Sequence, residues 1–360
     1  QSNTAPEPGD RHPQTNSLPA TAAFGDARDH HSLETFMIVD LPNTTTSQIS
    51  KALVKIREEG GAVALGRVLT LVISTNLGHE EEAIEAANDA SREHPMRVIV
   101  ISTGADGPDM SDAPRLDAQI RVGGDAGASE VVVLKAYGDT ASDEEGLVTG
   151  LLLPDAPVVA WWPGEAPEVA SESPLGRIAQ RRITDAAAQR DPRGFLNHLS
   201  RTYSPGDTDF AWTRLTLWRA QLAAVLDQPP YESITSVEVH GAPDSPSTGL
   251  LAAWLQMQLK VPARHELMTP SHGSSGIQGV RLHRASGVIE LERTTTNIVT
   301  LVQPNQPVHD ISLIRRSLRD CLAEELRRLD PDDLFGEVIQ HGLAQLDAPT
   351  VTGSIKVPEQ

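Results

Sequence analysis

Apolar residues recur with two different periods along this chain, and their alternation predicts an α/β fold. Short runs of aliphatic and β-branched residues, RVLTLVIS at 67–74 and MRVIVIST at 96–103, predict buried strands. Between them, HEEEAIEAANDASREHP carries acids in its first turn and a proline just past its end, which predicts a helix. A strand–helix–strand order favours a parallel sheet with right-handed crossovers.

The apolar strand PVVAWW closes this first part of the sequence, and Pro163 and Gly164 interrupt it. An unbroken apolar strand is typical of the covered middle of a sheet. Because neighbouring strand residues point to opposite faces, the rings of Trp161 and Trp162 cannot lie on the same side. We expect one ring to be buried against a helix. The other should face the junction with the segments GRIAQRRITDA and GDTDFAWTR.

Helical and strand patterns follow in a different order after Pro163. Helices are predicted for SPLGRIAQRRITDAAAQ, GDTDFAWTRLTLWRAQLAAVLDQPP, TGLLAAWLQMQL and DISLIRRSLRDCLAEELRRLD, and for a last segment that Asp330 would cap. SITSVEVHG predicts another strand. The runs IQGVRLHR, GVIELER and NIVTLVQ predict three strands joined by short turns, which favours an antiparallel meander.

These patterns predict the organisation of the whole chain. Residues 37–165 should form an N-terminal, mostly parallel α/β sheet domain. Residues 166–346 should form a mixed α/β domain with an antiparallel meander and C-terminal helices. Residues 1–36 are rich in Pro, Ser, Thr and Asn and are expected to be a disordered leader. Residues 347–360 are expected to be a flexible tail.

Charge and cysteine content narrow the classes of function. The formal net charge of the 360 residues is −19. Nucleic acids and anionic membranes need clustered positive charge on their partners, so neither is expected to bind. Cys321 is the one cysteine, which excludes an intrachain disulfide and a multi-cysteine metal site, and a reducing cytoplasm is the simple expectation. The histidines show no HExxH pattern, so neither a metal nor a cofactor is expected.

A glycine-rich turn, VGGDAGAS at 122–129, is the best candidate for a phosphate-binding loop. It would use Gly123, Gly124 and Gly127. A dinucleotide fingerprint must lead into a helix whose N-terminus holds the pyrophosphate, but here the strand EVVVLKAY is predicted to follow. The spacing is neither GxGxxG nor a Walker pattern. A structural turn is therefore favoured, and a phosphate site remains the alternative.

A cluster of arginines stands out in this acidic chain. The segment GRIAQRRITDA contains Arg177, Arg181, Arg182 and Asp185. On the predicted helix, Arg177 and Arg181 share a face, and Asp185 lies one turn further along. Two interpretations stay open. The cluster is either a surface ion network with Asp185, or a planar surface for bidentate recognition of a carboxylate or phosphate, which suits arginine.

The segment GDTDFAWTRLTLWR mixes acids, arginines and tryptophans, and Trp and Arg are frequent at interface hot spots. Trp212 is predicted to lie in the core. Trp218 and Arg214 lie one turn apart on the predicted helix and could stack as a cation–π pair. Cys321 accompanies an apolar helical stripe, so it should be a small core residue rather than a nucleophile. Together these residues form no complete active site.

Nine segments, in this order along the chain, resemble the glucose-6-phosphate dehydrogenase assembly proteins, the OpcA family. They are MIVDLPNTTTSQISKAL, GRVLTLVI, AANDASREHPMRVIV, LDAQIRVGGDAGASE, LLLPDAPVVAWWPGEAP, PLGRIAQRRITDA, GDTDFAWTRLTLWRAQLAAVLDQPP, ITSVEV and CLAEELRRLDPDDLF. The resemblance runs from Met37 to about Leu346. It implies a non-catalytic bacterial protein that binds glucose-6-phosphate dehydrogenase, favours its active oligomer and raises its activity. Such a protein supports NADPH supply through the oxidative pentose phosphate pathway.

The resemblance supplies no catalytic residues, so a partner interface is inferred from side chains in the family-like segments. These are Trp161, Trp162, Pro163, Arg177, Arg181, Arg182, Asp185, Asp207, Asp209, Arg214, Trp218 and Arg219. The alternative function is a sugar-phosphate or nucleotide-binding enzyme or sensor. It would use the Gly123–Gly127 turn and the Arg177–Arg182 patch.

Overall fold

The computed structural model describes residues 37–59, 67–104, 113–123, 130–269 and 275–352. All of them belong to one compact unit. Within this part of the chain, two sheets of eight and seven strands are flanked by helices, which confirms the predicted α/β class. The predicted leader, residues 1–36, lies outside the described residues. None of the described helices is long and apolar enough to cross a lipid bilayer.

The first sheet confirms the predicted mostly parallel arrangement. Its strands are β1 (Met37–Leu41), β2 (Leu69–Asn76), β3 (Met96–Thr103), β4 (Arg115–Val122), β5 (Glu130–Tyr137), β6 (Val158–Trp161), β7 (Arg181–Thr184) and β8 (Asp207–Asp209). They are ordered β1-β4-β5-β3-β2-β6-β7-β8. Within this sheet, β4 runs opposite to the other strands.

Helices cover both faces of the first sheet. One face carries α1 (Thr46–Glu59), α3 (Glu144–Thr149) and α4 (Pro174–Ile178). The other carries α2 (Glu80–Ser91) and α9 (Leu318–Arg327). Successive side chains of the central strands alternate between the two layers, which is why these strands read as continuous apolar runs.

The two neighbouring tryptophans lie in opposite layers, as predicted. Trp161 packs in the layer of α2 and α9, and Trp162 packs in the layer of α1, α3 and α4. Trp161 also contacts Phe210, with ring centroids 5.7 Å apart. Both indoles are buried. The residue pair therefore anchors two separate halves of the core at the end of one strand.

The second sheet combines a parallel unit with an antiparallel meander. Its strands are β9 (Ile234–Gly241), β10 (Ala263–Met268), β11 (Ile277–Arg284), β12 (Gly287–Arg293), β13 (Ile298–Val302), β14 (His309–Ser312) and β15 (Thr350–Thr352), ordered β14-β13-β12-β11-β9-β10-β15. The predicted meander is confirmed over β11 to β14. β9 and β10 are parallel and are joined through α8 (Ser247–Leu259).

The remaining helices pack around the second sheet and its flanks. They are α5 (Pro192–Thr202), α6 (Phe210–Thr213), α7 (Thr216–Leu226) and α10 (Asp333–Glu337). β15 lies within the segment predicted to be a flexible tail. Its backbone pairs in parallel with β10, which corrects the prediction for those three residues. Residues 353–360 lie outside the described part.

Three helix predictions need correction. The helix predicted across GRIAQRRITDA ends at Ile178, and the following residues form β7, because this short strand pairs with both β6 and β8. The helix predicted from Asp310 begins only at Leu318, where Ser317 and Asp320 form a capping box. Asp332, rather than Asp330, caps α10.

The first sheet extends past the predicted boundary at residue 165. β7 and β8 follow that boundary in sequence but complete the sheet. α9, from the far end of the chain, covers one of its faces. The division into two domains at residues 165 and 166 stays a prediction, and the sheet itself crosses it.

Truncating α9 where it meets the first sheet tests whether this late helix stabilises the early one. Leu322 is fully buried there. We expect Leu322→Ala to lower the free energy of unfolding by about 2–5 kcal/mol, because it removes buried methyl groups and leaves a cavity. Leu217→Ala, at an exposed position on α7, is the matched control. Urea unfolding followed by tryptophan fluorescence measures both, and equal losses would contradict the packing role of α9.

Candidate functional site

Five of the twelve residues expected at a partner interface lie on or beside β7 and β8. Arg181, Arg182 and Asp207 lie on the strands themselves, and Asp185 and Asp209 lie at their carboxyl ends. In open α/β sheets, this carboxyl edge is the usual place for a binding crevice. Here, however, all five side chains are buried. Their contacts therefore decide what the site can do.

Arg181 is held by an acid that lies far away in sequence. Its Nε donates to Glu325 Oε2 at 2.9 Å, and its Nη1 donates to the carbonyl oxygen of Asp330 at 2.8 Å. The other Glu325 oxygen, Oε1, accepts from Thr213 Oγ1 at 2.5 Å. Arginine and glutamate are both at least nine-tenths buried. Both oxygens of Glu325 are thus occupied by groups of the same chain.

Arg182 is engaged in the same way on the other face of β7. Its Nε donates to Asp207 Oδ1 at 2.5 Å, and its terminal nitrogens donate to the carbonyls of Ala179 and Pro205. Of the two interpretations left open by the sequence, the ion network is therefore present. It is buried rather than on the surface, and the partners of Arg181 and Arg182 are Glu325 and Asp207 rather than Asp185.

Asp185 pairs instead with Arg214. The two guanidinium nitrogens donate to the two carboxylate oxygens, each at 2.7 Å, which is the bidentate geometry that arginine favours. The predicted stacking of Arg214 on Trp218 is therefore wrong. Arg214 lies 5.8 Å from the centre of the Phe210 ring, while Trp218 has Arg293 over its face at 5.7 Å.

Asp209 differs from the other buried acids of this cluster. Its oxygens accept from Thr184 Oγ1 and from the backbone amides of Ala186 and Ala211, at 2.7–3.1 Å. Within the described part of the chain it forms no ion pair. Burial, and next the negative charge of Asp185, raise the pKa of Asp209 to about 7, although the hydrogen bonds act in the opposite direction.

Three of the remaining expected residues lie where solvent reaches them. Arg177 is exposed. Its guanidinium donates to Glu145 Oε2 at 2.9 Å and to the carbonyl oxygen of Glu172 at 2.8 Å. Pro163 is half-buried at the end of β6. Arg219 is also half-buried and stacks on Trp212, with its guanidinium carbon 3.8 Å from the ring centre. Contact between any of these residues and a partner stays a prediction.

The glycine-rich turn joins two antiparallel strands. Gly123 follows β4 with a φ of 77°, and β5 begins at Glu130. A strand therefore follows the turn, as predicted, whereas a dinucleotide fingerprint leads into a helix. Gly124 and Gly127 lie outside the described residues. A phosphate site at this turn stays an untested alternative.

A crevice does open at the carboxyl ends of β2 and β6. Its volume is about 320 Å³, and Asn76, His79, Glu81 and Pro163 are among its lining residues. The helix that begins there, α2, carries Glu80, Glu81 and Glu82 in its first turn. Carboxylates at a helix N-terminus stabilise the helix, but they repel a phosphate from the same position. This edge is therefore poorly suited to hold a dinucleotide.

Cys321 is a core residue, as predicted. It is fully buried against the first sheet, and burial is the main cause that raises the pKa of its thiol to about 12. Such a thiol carries little thiolate character at neutral pH. Among the described residues, no group of three or more His, Cys, Asp or Glu side chains could hold a metal ion.

Sequence reasoning missed Glu325 and Thr213, which complete the buried network. Glu325 stands between Leu322 and Leu326, two residues on the apolar side of α9. An acid on the inward side of an amphipathic helix is the signal that could have marked it, because a buried carboxylate needs a partner.

The raised pKa of Asp209 predicts how stability depends on pH. The unfolded chain releases this proton near the ordinary value of 3.8, whereas the folded chain holds it up to about pH 7. The stabilisation from the bound proton is complete below the lower value and is lost as pH rises through the higher one. Asp209→Asn removes this titration, so its free energy of unfolding should change less between pH 5 and 7.5 than that of the wild type. Denaturant unfolding measures both, and parallel pH profiles would contradict the shift.

Comparison with known proteins identifies the family. Family models described as the N-terminal and C-terminal domains of a glucose-6-phosphate dehydrogenase subunit match residues 87–201 and 205–339 in turn. No curated protein matches the chain. Similar solved structures include KijD10, a 3-ketoreductase from Actinomadura kijaniata in complex with TDP-benzene and NADP, at 11% identity over 79% of this chain and 99% of that chain, with a TM-score of 0.43. A dehydrogenase from Chromobacterium violaceum is 10% identical over 77% of this chain and 94% of that chain, with a TM-score of 0.36.

Similarity to solved structures at such low identities and TM-scores says nothing about the activity of this chain. The two family models follow one another without overlap and leave only three residues, 202–204, between them. They also match in the same order in which the family-like segments occur along the sequence. The chain therefore belongs to the OpcA family of glucose-6-phosphate dehydrogenase subunits.

Proposed function

We propose that this chain is a non-catalytic assembly factor and allosteric activator of glucose-6-phosphate dehydrogenase. In this role it binds the enzyme, stabilises its active oligomer and supports NADPH production in the oxidative pentose phosphate pathway of the bacterial cytoplasm. The observation that carries the proposal is the match of both subunit domains along the chain.

The contacts at the carboxyl edge of the first sheet support a role without catalysis. Arg181, Arg182 and Arg214 each bind a carboxylate of their own chain. A substrate phosphate would have to displace these buried partners, which costs more than binding to a free arginine would gain. The alternative of a sugar-phosphate enzyme built on the Arg177–Arg182 patch therefore loses its main chemical support.

An activator of this kind works by shifting a population. It must bind the active assembly of the enzyme more tightly than the inactive form, because a ligand shifts an equilibrium only by its difference in affinity. By linkage, enzyme loaded with substrate should then bind the activator more tightly. On this chain, Arg177 is exposed and Pro163 and Arg219 are half-buried among the expected interface residues, while the buried network holds the neighbouring backbone in place.

Adding this chain to its cognate dehydrogenase tests the proposal. We expect the rate of NADP reduction to rise, and the enzyme to elute with this chain as a larger assembly in size-exclusion chromatography with mass measurement. Glucose 6-phosphate should strengthen the complex, because the two ligands favour the same state. An unchanged rate without co-elution would overturn the proposal.

A pair of arginine variants separates structural from docking roles. Arg181→Ala leaves Glu325 buried without its cation, and we expect it to lower the free energy of unfolding by about 3–5 kcal/mol. Arg177→Ala, at an exposed site, should change stability by less than about 0.5 kcal/mol and should weaken binding to the dehydrogenase. Urea unfolding and titration calorimetry measure the two effects. If Arg177→Ala binds like the wild type, this arginine is not part of the interface.

A further inference from the structure

A second cavity lies away from the edge of the first sheet. It has a volume of about 410 Å³ and is enclosed by α7, the N-terminus of α8, the start of β11 and the segment that leads into α9. This size is within the range of small-molecule sites. Trp218, Leu215 and Ile277 supply apolar walls, and all three also belong to the core that packs on the second sheet.

The N-terminus of α8 opens into this cavity without a side-chain cap. The residue before the helix is Pro246, which offers neither a side-chain acceptor nor an amide, and no side chain of the described residues caps the first turn. The helix has 13 residues and lies between β9 and β10 in a parallel crossover. The N-terminal amides of such a helix are a common binding place for anions.

Ser245 supplies a second, independent observation at this cavity. This residue lines the cavity and is only 5% exposed. Its Oγ is buried and finds no hydrogen-bond partner among the described residues. A buried hydroxyl without a partner costs about 1–3 kcal/mol, so such groups are rare unless a ligand or water completes them.

Positive charge converges on the same cavity in a chain whose net charge is −19. Arg214, Arg293, Arg315 and Arg316 all line it, against a single acid, the exposed Asp244, among the described lining residues. Arg214 pairs with Asp185 and Arg316 pairs with Glu324. Arg315 is exposed and makes no ion pair within the described part of the chain. The pKa of Arg293 is lowered mainly by burial and also by the positive charge of Arg315. The two cations therefore repel one another across the cavity lining.

We propose that this cavity binds a small phosphate monoester. Its phosphate would lie at the N-terminus of α8, accept from Ser245 Oγ and face Arg315, and its organic part would lie against Trp218 and Ile277. A phosphate offers three acceptor oxygens, enough for the hydroxyl, the helix amides and a guanidinium together. The described residues that line this cavity include neither Gly123 nor an arginine of the Arg177–Arg182 patch.

Titration of the full chain, without any dehydrogenase, tests this site. The probes are inorganic phosphate and glycerol 3-phosphate, with glycerol as the uncharged control, at constant ionic strength. We expect glycerol 3-phosphate to raise Tm in a saturable manner, because a ligand that binds only the folded state stabilises it. Phosphate alone should bind more weakly, and glycerol should have no effect. Absence of saturable binding by both phosphate probes would overturn the proposal.

Two variants locate the binding. Ser245→Ala and Arg315→Gln should each raise the Kd for glycerol 3-phosphate by about ten-fold, because each removes a hydrogen bond to a charged group. Both should fold normally, since the Ser245 hydroxyl has no hydrogen-bond partner among the described residues and Arg315 is exposed. Arg328→Gln, an exposed arginine outside the cavity, is the matched control. If all three variants weaken binding equally, or if none does, the phosphate binds elsewhere and the assignment is wrong.

The binding experiment is independent of the proposed activation. It uses the chain alone, so a chain that binds glycerol 3-phosphate but fails to activate a dehydrogenase would support the site and refute the activator role. A chain that activates the dehydrogenase without binding a phosphate probe would support the activator role and refute the phosphate site.

Discussion

The structure around β7 and β8 depends on one constraint, which is that buried carboxylates need partners because they have lost contact with water. Four carboxylates are buried in this small region, and an isolated charge in such surroundings would cost several kcal/mol. Asp185, Asp207 and Glu325 are each matched by one arginine. Asp209 is matched only by a hydroxyl and by backbone amides. Burial, and next the charge of Asp185, raise its pKa, so it retains its proton to a higher pH. The chain satisfies all four only in one arrangement of its elements.

That arrangement joins distant parts of the sequence. Arg181 belongs to β7 and Glu325 to α9, 144 residues later, so the pair forms only when α9 lies on the first sheet. Thr213, from the turn of α6, completes the same carboxylate. Breaking one partner of a buried pair leaves the other charge uncompensated, which favours the docked state over partly assembled ones. Arg214 extends the network further, since it pairs with Asp185 and also lines the cavity beside α8. The sheet edge and the cavity are therefore in direct contact through one side chain.

The sequence predicted the elements whose signals are local. The apolar strands of the first sheet, the meander of the second and the core position of Cys321 follow from periodicity and composition, and the structure has them. The strand Arg181–Thr184 was expected to be helical, because four residues carry too little pattern to outweigh a helical neighbourhood, and only pairing with β6 and β8 defines it. The arginine cluster was found, but a sequence cannot distinguish a buried ion network from a recognition surface. That distinction depends on Glu325, which no local pattern connects to Arg181.

The two tryptophans show how one strand end organises both layers. Trp161 belongs to the layer of α2 and α9, and Trp162 to the layer of α1, α3 and α4, so a shift of this strand by one residue would exchange both rings. The backbone amide of Trp162 still donates to the carbonyl of Ile183 on β7, at 3.0 Å. Pro163 has no amide proton, so it cannot donate a further bond to the ladder. The pairing therefore stops at Trp162, and the chain leaves the sheet at Pro163, on the rim of the crevice between β2 and β6. The same residues that anchor both core layers thus place the half-buried Pro163 at the carboxyl edge of the sheet.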